Sequence, residues 1–271
     1  MKKNRLLMLT SCIMTTILLT TACSAGKQVD IVQEEAAAKP QTSLTIGCAA
    51  GLTDAIIEIK SLYQTAHPET KLTLNFASSG TLMQQIEQGA DTDVFISASN
   101  KQINALKEKD LIVNESLSII AANSLVLIVP KDSDLNIKST PDLVNHDNIK
   151  IAVGDPGFVP AGKYADEVFN SLKITDFVKD KLVYGKDVRE VLAWVESGNL
   201  DAGFVYHTDA LITDKVKIIE LIDSSLHSPI VYPACIVMSS KKQEASADFI
   251  TYLSSEDAKI ILKDYGFLLS N

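Results

Sequence analysis

The hydrophobic pattern between residues 43 and 98 alternates between short apolar runs and a helical period. Within the runs apolar residues are consecutive or alternate, and between the runs they recur every three or four positions. His67 and Pro68 end the first helical stretch, and Gly89 ends the second. The predicted strands are 44–48, 71–76 and 93–97. This order of strand, helix, strand, helix and strand predicts a parallel sheet covered by helices.

The same alternation begins again after residue 124. The predicted strands of this second round are 149–153, 182–184 and 202–206, and its predicted helices are 161–172 and 188–197. Long apolar runs bracket the round at 124–130 and 230–238, and two helices, 241–254 and 256–265, follow. The second round therefore predicts a sheet of its own.

The two long apolar runs indicate where the chain passes between two lobes. Because they bracket the second round, we expect the first lobe to be discontinuous. Lobe 1 is then predicted at 43–124 plus 233–271, and lobe 2 at 125–232. A ligand cleft is expected between the lobes, at the carboxyl ends of the strands.

The N-terminal residues have the features of an export signal. Basic residues precede an apolar stretch that ends at Leu19, and the following tetrad, which ends at Cys23, resembles a bacterial lipobox with Thr20 where that pattern prefers Leu. We expect residues 1–22 to be a lipoprotein signal peptide and Cys23 to carry the lipid. A plain secretory signal or a short membrane anchor are the alternatives. Residues 23–42 are polar and alanine-rich, which predicts a flexible tether.

Composition and charge disfavour several classes of partner. The 271 residues are 46% hydrophobic and carry a formal net charge of −9, which argues against binding to nucleic acid by general electrostatics. Histidines and cysteines lack zinc-ligand spacing, so we expect neither a metal cation nor a cofactor. Cys48 and Cys235 fall in apolar runs, which favours buried thiols and leaves a disulfide as the alternative.

Four predicted strand-to-helix junctions expose backbone N–H groups at a helix N-terminus. They are 49–53, 78–80, 160–162 and 187–190. Free N–H groups and the helix dipole together make such a terminus favourable for an anion. Ser79 is a candidate N-cap, and Asp187 with Glu190 has the form of a capping box that starts a helix at Val188. Two junctions come from each predicted lobe, so we expect all four to face one cleft.

Several segments, in this order, closely resemble the molybdate-binding proteins of bacterial ABC importers. They are FASSGTL at 76–82, DVFISA at 93–98, VGDP at 153–156 with VPAGKY at 159–164, KDVR at 186–189, GFVY at 203–206 and YGF at 265–267. The resemblance covers nearly all of the chain between residues 43 and 268. It implies an α/β, two-lobed periplasmic-binding-protein fold of type II, each lobe a mostly parallel sheet flanked by helices. It also implies a monomer, lipid-anchored outside the cytoplasm, that captures molybdate or tungstate and delivers it to a membrane permease.

The resemblance further implies which residues hold the oxyanion. Ser79 is expected to give its hydroxyl and its amide from lobe 1. Ala161 and Val188 are expected to give backbone amides from lobe 2, and Tyr206 its phenol. A strand-end tyrosine that is half-buried for structural reasons is the alternative for Tyr206. Arg189 and Lys163 adjoin the site, where we expect exposed salt bridges.

The fifth expected ligand position departs from the family. It is Gly51, where the family has a serine, so the amide is kept and the hydroxyl is missing. The corresponding hydrogen bond is either lost or replaced by water or by a neighbour such as Ser78 or Thr53.

A site built only of donors suits a fully ionised dianion at neutral pH. Phosphate keeps a proton there and would need an acceptor, whereas sulfate has the charge and shape of molybdate. A binding protein for sulfate or a small organic anion is therefore the alternative function. A hydrolase triad of Ser79, His207 and Asp209 lacks the sequence of a nucleophile elbow, so we expect no enzyme.

Overall fold

The structure is a computed structural model that describes residues 41–269. The predicted signal peptide and Cys23 lie outside the described residues, as does nearly all of the predicted tether. Among the described residues, no helix combines the length and the apolar character needed to cross a membrane.

Strands and helices alternate along the described chain. The strands are β1 (Thr42–Ala49), β2 (Thr70–Ala77), β3 (Val94–Ile96), β4 (Ile112–Ala122), β5 (Leu125–Pro130), β6 (Ile151–Gly154), β7 (Leu182–Gly185), β8 (Ala202–Tyr206), β9 (Val216–Leu221) and β10 (Val231–Val237). The helices are α1 (Thr53–Ala66), α2 (Ser79–Glu87), α3 (Asn100–Glu108), α4 (Pro160–Ser171), α5 (Thr175–Val178), α6 (Val188–Glu196), α7 (His207–Leu211), α8 (Gln243–Tyr252) and α9 (Glu256–Asp264).

The strands form two five-stranded sheets of the same topology. The first has the order β2-β1-β3-β10-β4 and the second β7-β6-β8-β5-β9. In each, three neighbouring strands are parallel, and one strand runs against both of its neighbours. The reversed strands, β10 and β5, are the two long apolar runs of the sequence. We call each sheet with its packed helices a lobe: lobe 1 holds α1, α2, α3, α8 and α9, and lobe 2 holds α4, α5, α6 and α7.

The chain passes between the sheets twice, after β4 and after β9. Asn123 lies in the first passage, where its Nδ2 donates to Thr208 Oγ1 of lobe 2 at 2.9 Å and to Tyr232 Oη of lobe 1 at 3.0 Å. One side-chain amide in this passage therefore contacts both lobes. All of β10, from Val231 onward, pairs within the first sheet, and the predicted boundaries at residues 124 and 232 lie next to these passages.

The cores of the sheets are apolar because their central strands are covered on both faces. Ile46, Val94, Leu127 and Phe204 are fully buried examples. Cys48 is buried and free, as is Cys235, so no disulfide joins them. Burial raises the pKa of both thiols, which are therefore inert at neutral pH.

Every strand and helix that we delimited from the sequence agrees with the structure within two residues. We predicted no elements for residues 99–123 and 207–229, where α3, β4, α7 and β9 lie. β4 is the edge of its sheet and carries exposed polar residues among its apolar ones. Edge strands are commonly polar in this way, which hides them from a search for apolar runs.

Candidate functional site

The four predicted junctions meet around one cavity between the lobes. It is lined by Ala49, Ala50, Gly51, Ser78, Ser79 and Ala98 from lobe 1 and by Val159, Pro160, Val188 and Tyr206 from lobe 2. None of these lining residues is charged. An anion in this cavity would therefore be held by dipoles and hydrogen bonds alone.

The backbone N–H groups at the junctions are available as donors. Gly51 lies in a short 3₁₀ turn, Ser79 and Val188 are the first residues of α2 and α6, and Ala161 is the second residue of α4. First-turn N–H groups have no acceptor within their own helix, and none of these four donates to another protein group in residues 41–269. Ala161 is fully buried and follows the lining residue Pro160 in the chain, but it is not itself among the residues that line the cavity.

Ser79 is positioned by a bond from the neighbouring strand end. Its Oγ accepts the Ala98 N–H at 2.9 Å, and the residue is fully buried. Because that bond uses an oxygen lone pair, the hydroxyl proton stays free to donate. The prediction that Ser79 caps α2 is wrong: Ser78 is the N-cap, and its Oγ accepts from the Thr81 N–H at 3.2 Å.

Tyr206 ends β8 and presents its side chain to the cavity. It is fully buried, not half-buried, and its hydroxyl has no hydrogen-bond partner within the described residues. Burial raises the pKa of this phenol well above its ordinary value, so it keeps its proton and can only donate to an anion. A buried hydroxyl without a partner costs free energy, which a ligand oxygen in the cavity would recover.

Gly51 lies opposite Tyr206, and the space for a side chain there is nearly filled. A Cβ on Gly51 would lie 3.2 Å from Tyr206 Cδ2 and 3.5 Å from Asp209 Oδ2. The two neighbouring hydroxyls proposed as substitutes are already engaged. Thr53 Oγ1 donates to the Ala50 carbonyl at 2.7 Å, and Ser78 Oγ pairs with Thr81 Oγ1 at 2.8 Å.

Asp187 caps α6 and does not serve the cavity. Its Oδ1 accepts the Glu190 N–H at 2.9 Å, as the capping-box sequence predicts. The reciprocal bond differs, because Glu190 Oε2 accepts from the Lys186 N–H at 2.8 Å and not from Asp187. The Asp187 carboxylate thus accepts a hydrogen bond from the N-terminus of its own helix.

A buried ion pair behind the cavity was not predicted. Asp209 is fully buried, and Arg189 Nε lies 2.8 Å from its Oδ1. Burial raises the pKa of Asp209 to about 7, although Arg189 and the backbone of Tyr206 oppose the shift. Arg189 Nη2 also donates to Asp54 Oδ2 of lobe 1 at 2.7 Å. The expectation of an exposed salt bridge holds for Arg189 only at its Asp54 end, because the Asp209 end is fully buried. Lys163 pairs with Glu167, and both side chains are partly exposed.

The lobes touch at the rim of the cavity. The Gly80 N–H of lobe 1 donates to the Phe158 carbonyl of lobe 2 at 2.8 Å. A Cβ on Gly80 would lie 2.5 Å from Phe158 Cα. Only glycine permits this approach. Because the two lobes are hydrogen-bonded to each other here, the structure shows a closed cleft.

The alternatives based on catalysis or metal binding find no support in this geometry. The His207 side chain makes no hydrogen bond to Ser79 or Asp209. Within residues 41–269, no group of three or more histidine, cysteine or acidic side chains is arranged to hold a metal ion.

Comparisons with known proteins agree with this arrangement. Residues 44–268 match the family model described as bacterial extracellular solute-binding protein. The Bacillus subtilis protein YvgL, provisionally named an ABC transporter substrate-binding lipoprotein, is 40% identical over 254 residues, which are 94% of this chain and 95% of YvgL. The molybdate-binding protein ModA of Haemophilus influenzae is 41% identical over 230 residues, 83% of this chain and 89% of ModA.

A solved structure shows the same fold. The substrate-binding domain of a provisionally named molybdenum ABC transporter from Clostridium difficile is 44% identical to this chain. It superposes with a TM-score of 0.66 and covers 85% of this chain and 100% of its own length.

Proposed function

Because the chain belongs to the family of bacterial extracellular solute-binding proteins, we propose that it captures molybdate outside the cytoplasm and delivers it to the permease of an ABC importer. Family membership confirms two predictions made from the sequence: the two-lobed periplasmic-binding-protein fold, and a binding protein instead of an enzyme. Relatives named for molybdate or molybdenum support the choice of ligand.

The observation that carries this proposal is the donor set of the cavity. The N–H groups of Gly51, Ser79 and Val188, which line the cavity, and that of Ala161, next to the lining residue Pro160, have no acceptor among the described residues, and the hydroxyls of Ser79 and Tyr206 belong to lining residues. All six can donate a hydrogen bond, and no charged residue lines the cavity. This chemistry matches a tetrahedral dianion that carries no proton at neutral pH.

The expected affinity follows from the number of donors. A hydrogen bond to a charged partner contributes about 1.5–3 kcal/mol. Six such bonds suffice for sub-micromolar binding after the costs of association and ordering. Tungstate has the same charge and shape as molybdate, so we propose that it binds as well.

A thermal-shift series with molybdate, tungstate, sulfate and phosphate tests the proposal. A ligand at 100 times its dissociation constant stabilises the folded protein by about 2.7 kcal/mol. We expect shifts with molybdate and tungstate and none with phosphate, which would place its proton against donors. A shift with sulfate alone would transfer the function to sulfate, and no shift with molybdate or tungstate would refute the proposal.

We also propose that the mature chain is a monomer anchored by a lipid on Cys23, with residues 23–42 as the tether. The lipobox-like tetrad and the name of the relative YvgL support the anchor. Mass spectrometry of the membrane fraction tests it. The expected product begins at an acylated Cys23, and a Cys23→Ala variant should lose the lipid.

A further inference from the structure

Arg189 is the one cation that joins the two walls of the cavity in the described chain. Its Nη2 reaches Asp54 of lobe 1 at 2.7 Å, and its Nε lies 2.8 Å from Asp209 of lobe 2. Arg189 and Asp54 each lie close in sequence to an expected ligand position. Arg189 follows Val188, and Asp54 is three residues beyond Gly51. A bridge between Asp54 and Arg189 therefore ties together the two junctions that present the Gly51 and Val188 N–H groups.

Burial of the charged groups in this cluster costs folding free energy. Asp209 is fully buried, and neither of its oxygens accepts a hydrogen bond of regular geometry. Its Oδ2 lies 3.5 Å from the position of a Cβ on Gly51, close to where a dianion would sit. Negative charge on Asp54 or Asp209 beside an anion site would repel the ligand. Arg189 does not line the cavity, so its charge serves the carboxylates and not the ligand.

We propose that Arg189 is a positioning residue of the oxyanion site: it ties Asp54 of lobe 1 to Asp209 of lobe 2 across the closed cleft, sets the Gly51 and Val188 N–H groups against the ligand, and slows ligand release. This role rests on the proposed function. The Asp209 end of the bridge is buried and lies within lobe 2, so it keeps Arg189 aimed at the cleft. The Asp54 end is 40% exposed and lies in the other lobe, so it is the end that parts when the lobes open.

The Asp54→Asn variant tests the bridge because it removes the ionic contact between the lobes and leaves Arg189 beside Asp209. Asp176→Asn is the matched control: Asp176 also lies in the first turn of a helix, pairs with Lys179 at 2.9 Å and loses the same charge, far from the cavity. Trp194, the single tryptophan, lies on α6, which begins at Val188, and its fluorescence is the signal to be followed. The measurements are molybdate affinity, the release rate and the melting temperature of the ligand-free protein.

We expect Asp54→Asn to release molybdate roughly three- to tenfold faster than Asp176→Asn, as for a partly exposed ion pair. Their ligand-free melting temperatures should agree within error. Asp54→Glu, which keeps the charge, should restore slow release. High salt should reduce the difference between Asp54→Asn and wild type.

The opposite outcome is equally clear. If Asp54 acts on the ligand only through its charge, Asp54→Asn should bind molybdate more tightly than wild type. Binding that is tighter, or unchanged, overturns the positioning role while the proposed function stands. If wild type and Asp176→Asn bind no molybdate, the proposed function itself fails, and the positioning role falls with it.

Discussion

The two walls of the cleft come from sheets of the same topology, yet they contribute differently to the site. Lobe 1 offers the Gly51 and Ser79 amides and one hydroxyl that is held by its own strand end. Lobe 2 is proposed to offer the Ala161 and Val188 amides; it also presents the buried Tyr206 side chain to the cavity and contains the Arg189–Asp209 pair. The polar groups whose burial is most costly are thus concentrated in lobe 2.

The contrast explains how the site works without a side chain at position 51. Lobe 1 leaves a gap there, and the Tyr206 ring and the Asp209 carboxylate fill it from lobe 2. The space that a side chain at position 51 would take on one wall is thus occupied from the other wall. The two walls therefore complement each other only when the cleft is closed.

The largest effect is expected from adding a side-chain atom at Gly80, where the two lobes touch at the rim of the cavity. Gly80→Ala places a Cβ 2.5 Å from Phe158 Cα, and such backbone overlap prevents closure. We expect molybdate affinity to fall about a hundredfold or more, while the ligand-free protein stays as stable because alanine favours helix α2. Calorimetry measures the affinity, and Gln84→Ala, exposed on the same helix, is the control. Wild-type affinity for Gly80→Ala would show that binding does not need this contact.

Tyr206→Phe tests the donor contributed by lobe 2. It removes one hydrogen bond to a charged ligand, so we expect the binding free energy of molybdate to weaken by about 1.5–3 kcal/mol. The ligand-free protein should keep its stability, because the hydroxyl has no protein partner in the described residues. Tyr63→Phe changes an equally buried tyrosine in lobe 1 and should bind as wild type does. Equal affinities for the two variants would remove the phenol from the site.

The raised pKa of Asp209 in lobe 2 predicts that the stability of the protein depends on pH. Its pKa is raised from 3.8 to about 7 in the folded protein, so between these values the folded state holds a proton that the unfolded state has lost. The free energy of unfolding of the ligand-free protein should therefore fall as pH rises from about 4 to about 7, by at most about 1.4 kcal/mol per pH unit from this group.

Asp209→Asn should remove this slope, which urea unfolding at several pH values would measure. The groups that act on the carboxyl are Arg189, Asp54, Asp187, Tyr206 and Tyr232. Asp201→Asn, a substitution at a partly exposed residue elsewhere in lobe 2, should keep the slope. The same slope in Asp209→Asn and wild type would contradict the assignment.

The smallest effect is expected at Gly51. A Cβ there lies 3.2 Å from the Tyr206 ring, which must shift by a few tenths of an ångström, so Gly51→Ala should weaken molybdate binding by about threefold. Gly51→Ser adds a donor and should return the affinity to about that of wild type. If both variants bind equally, a hydroxyl at position 51 does not reach the ligand.

Much of the fold follows from local patterns. The apolar runs and helical periods delimit most strands and helices because these elements bury one face each, and burial imposes the period. The elements we did not predict, such as α3 and β4, carry polar residues at exposed positions. The N-cap of α2 was misassigned by one residue, because Ser78 and Ser79 are adjacent and only the backbone conformation distinguishes them.

The strand-to-helix junctions that carry the proposed donor groups could be predicted from the sequence because they are local features. A strand that leads into a helix exposes its N–H groups wherever it lies in the fold, and Gly51, Ser79, Ala161 and Val188 all stand at such junctions. The contacts between the lobes could not be predicted from the sequence. Asp54 and Arg189 are 135 residues apart, and Gly80 meets Phe158 only after both lobes have formed. Pairs of this kind leave no periodic signal, because the path of the chain between two sheets brings them together.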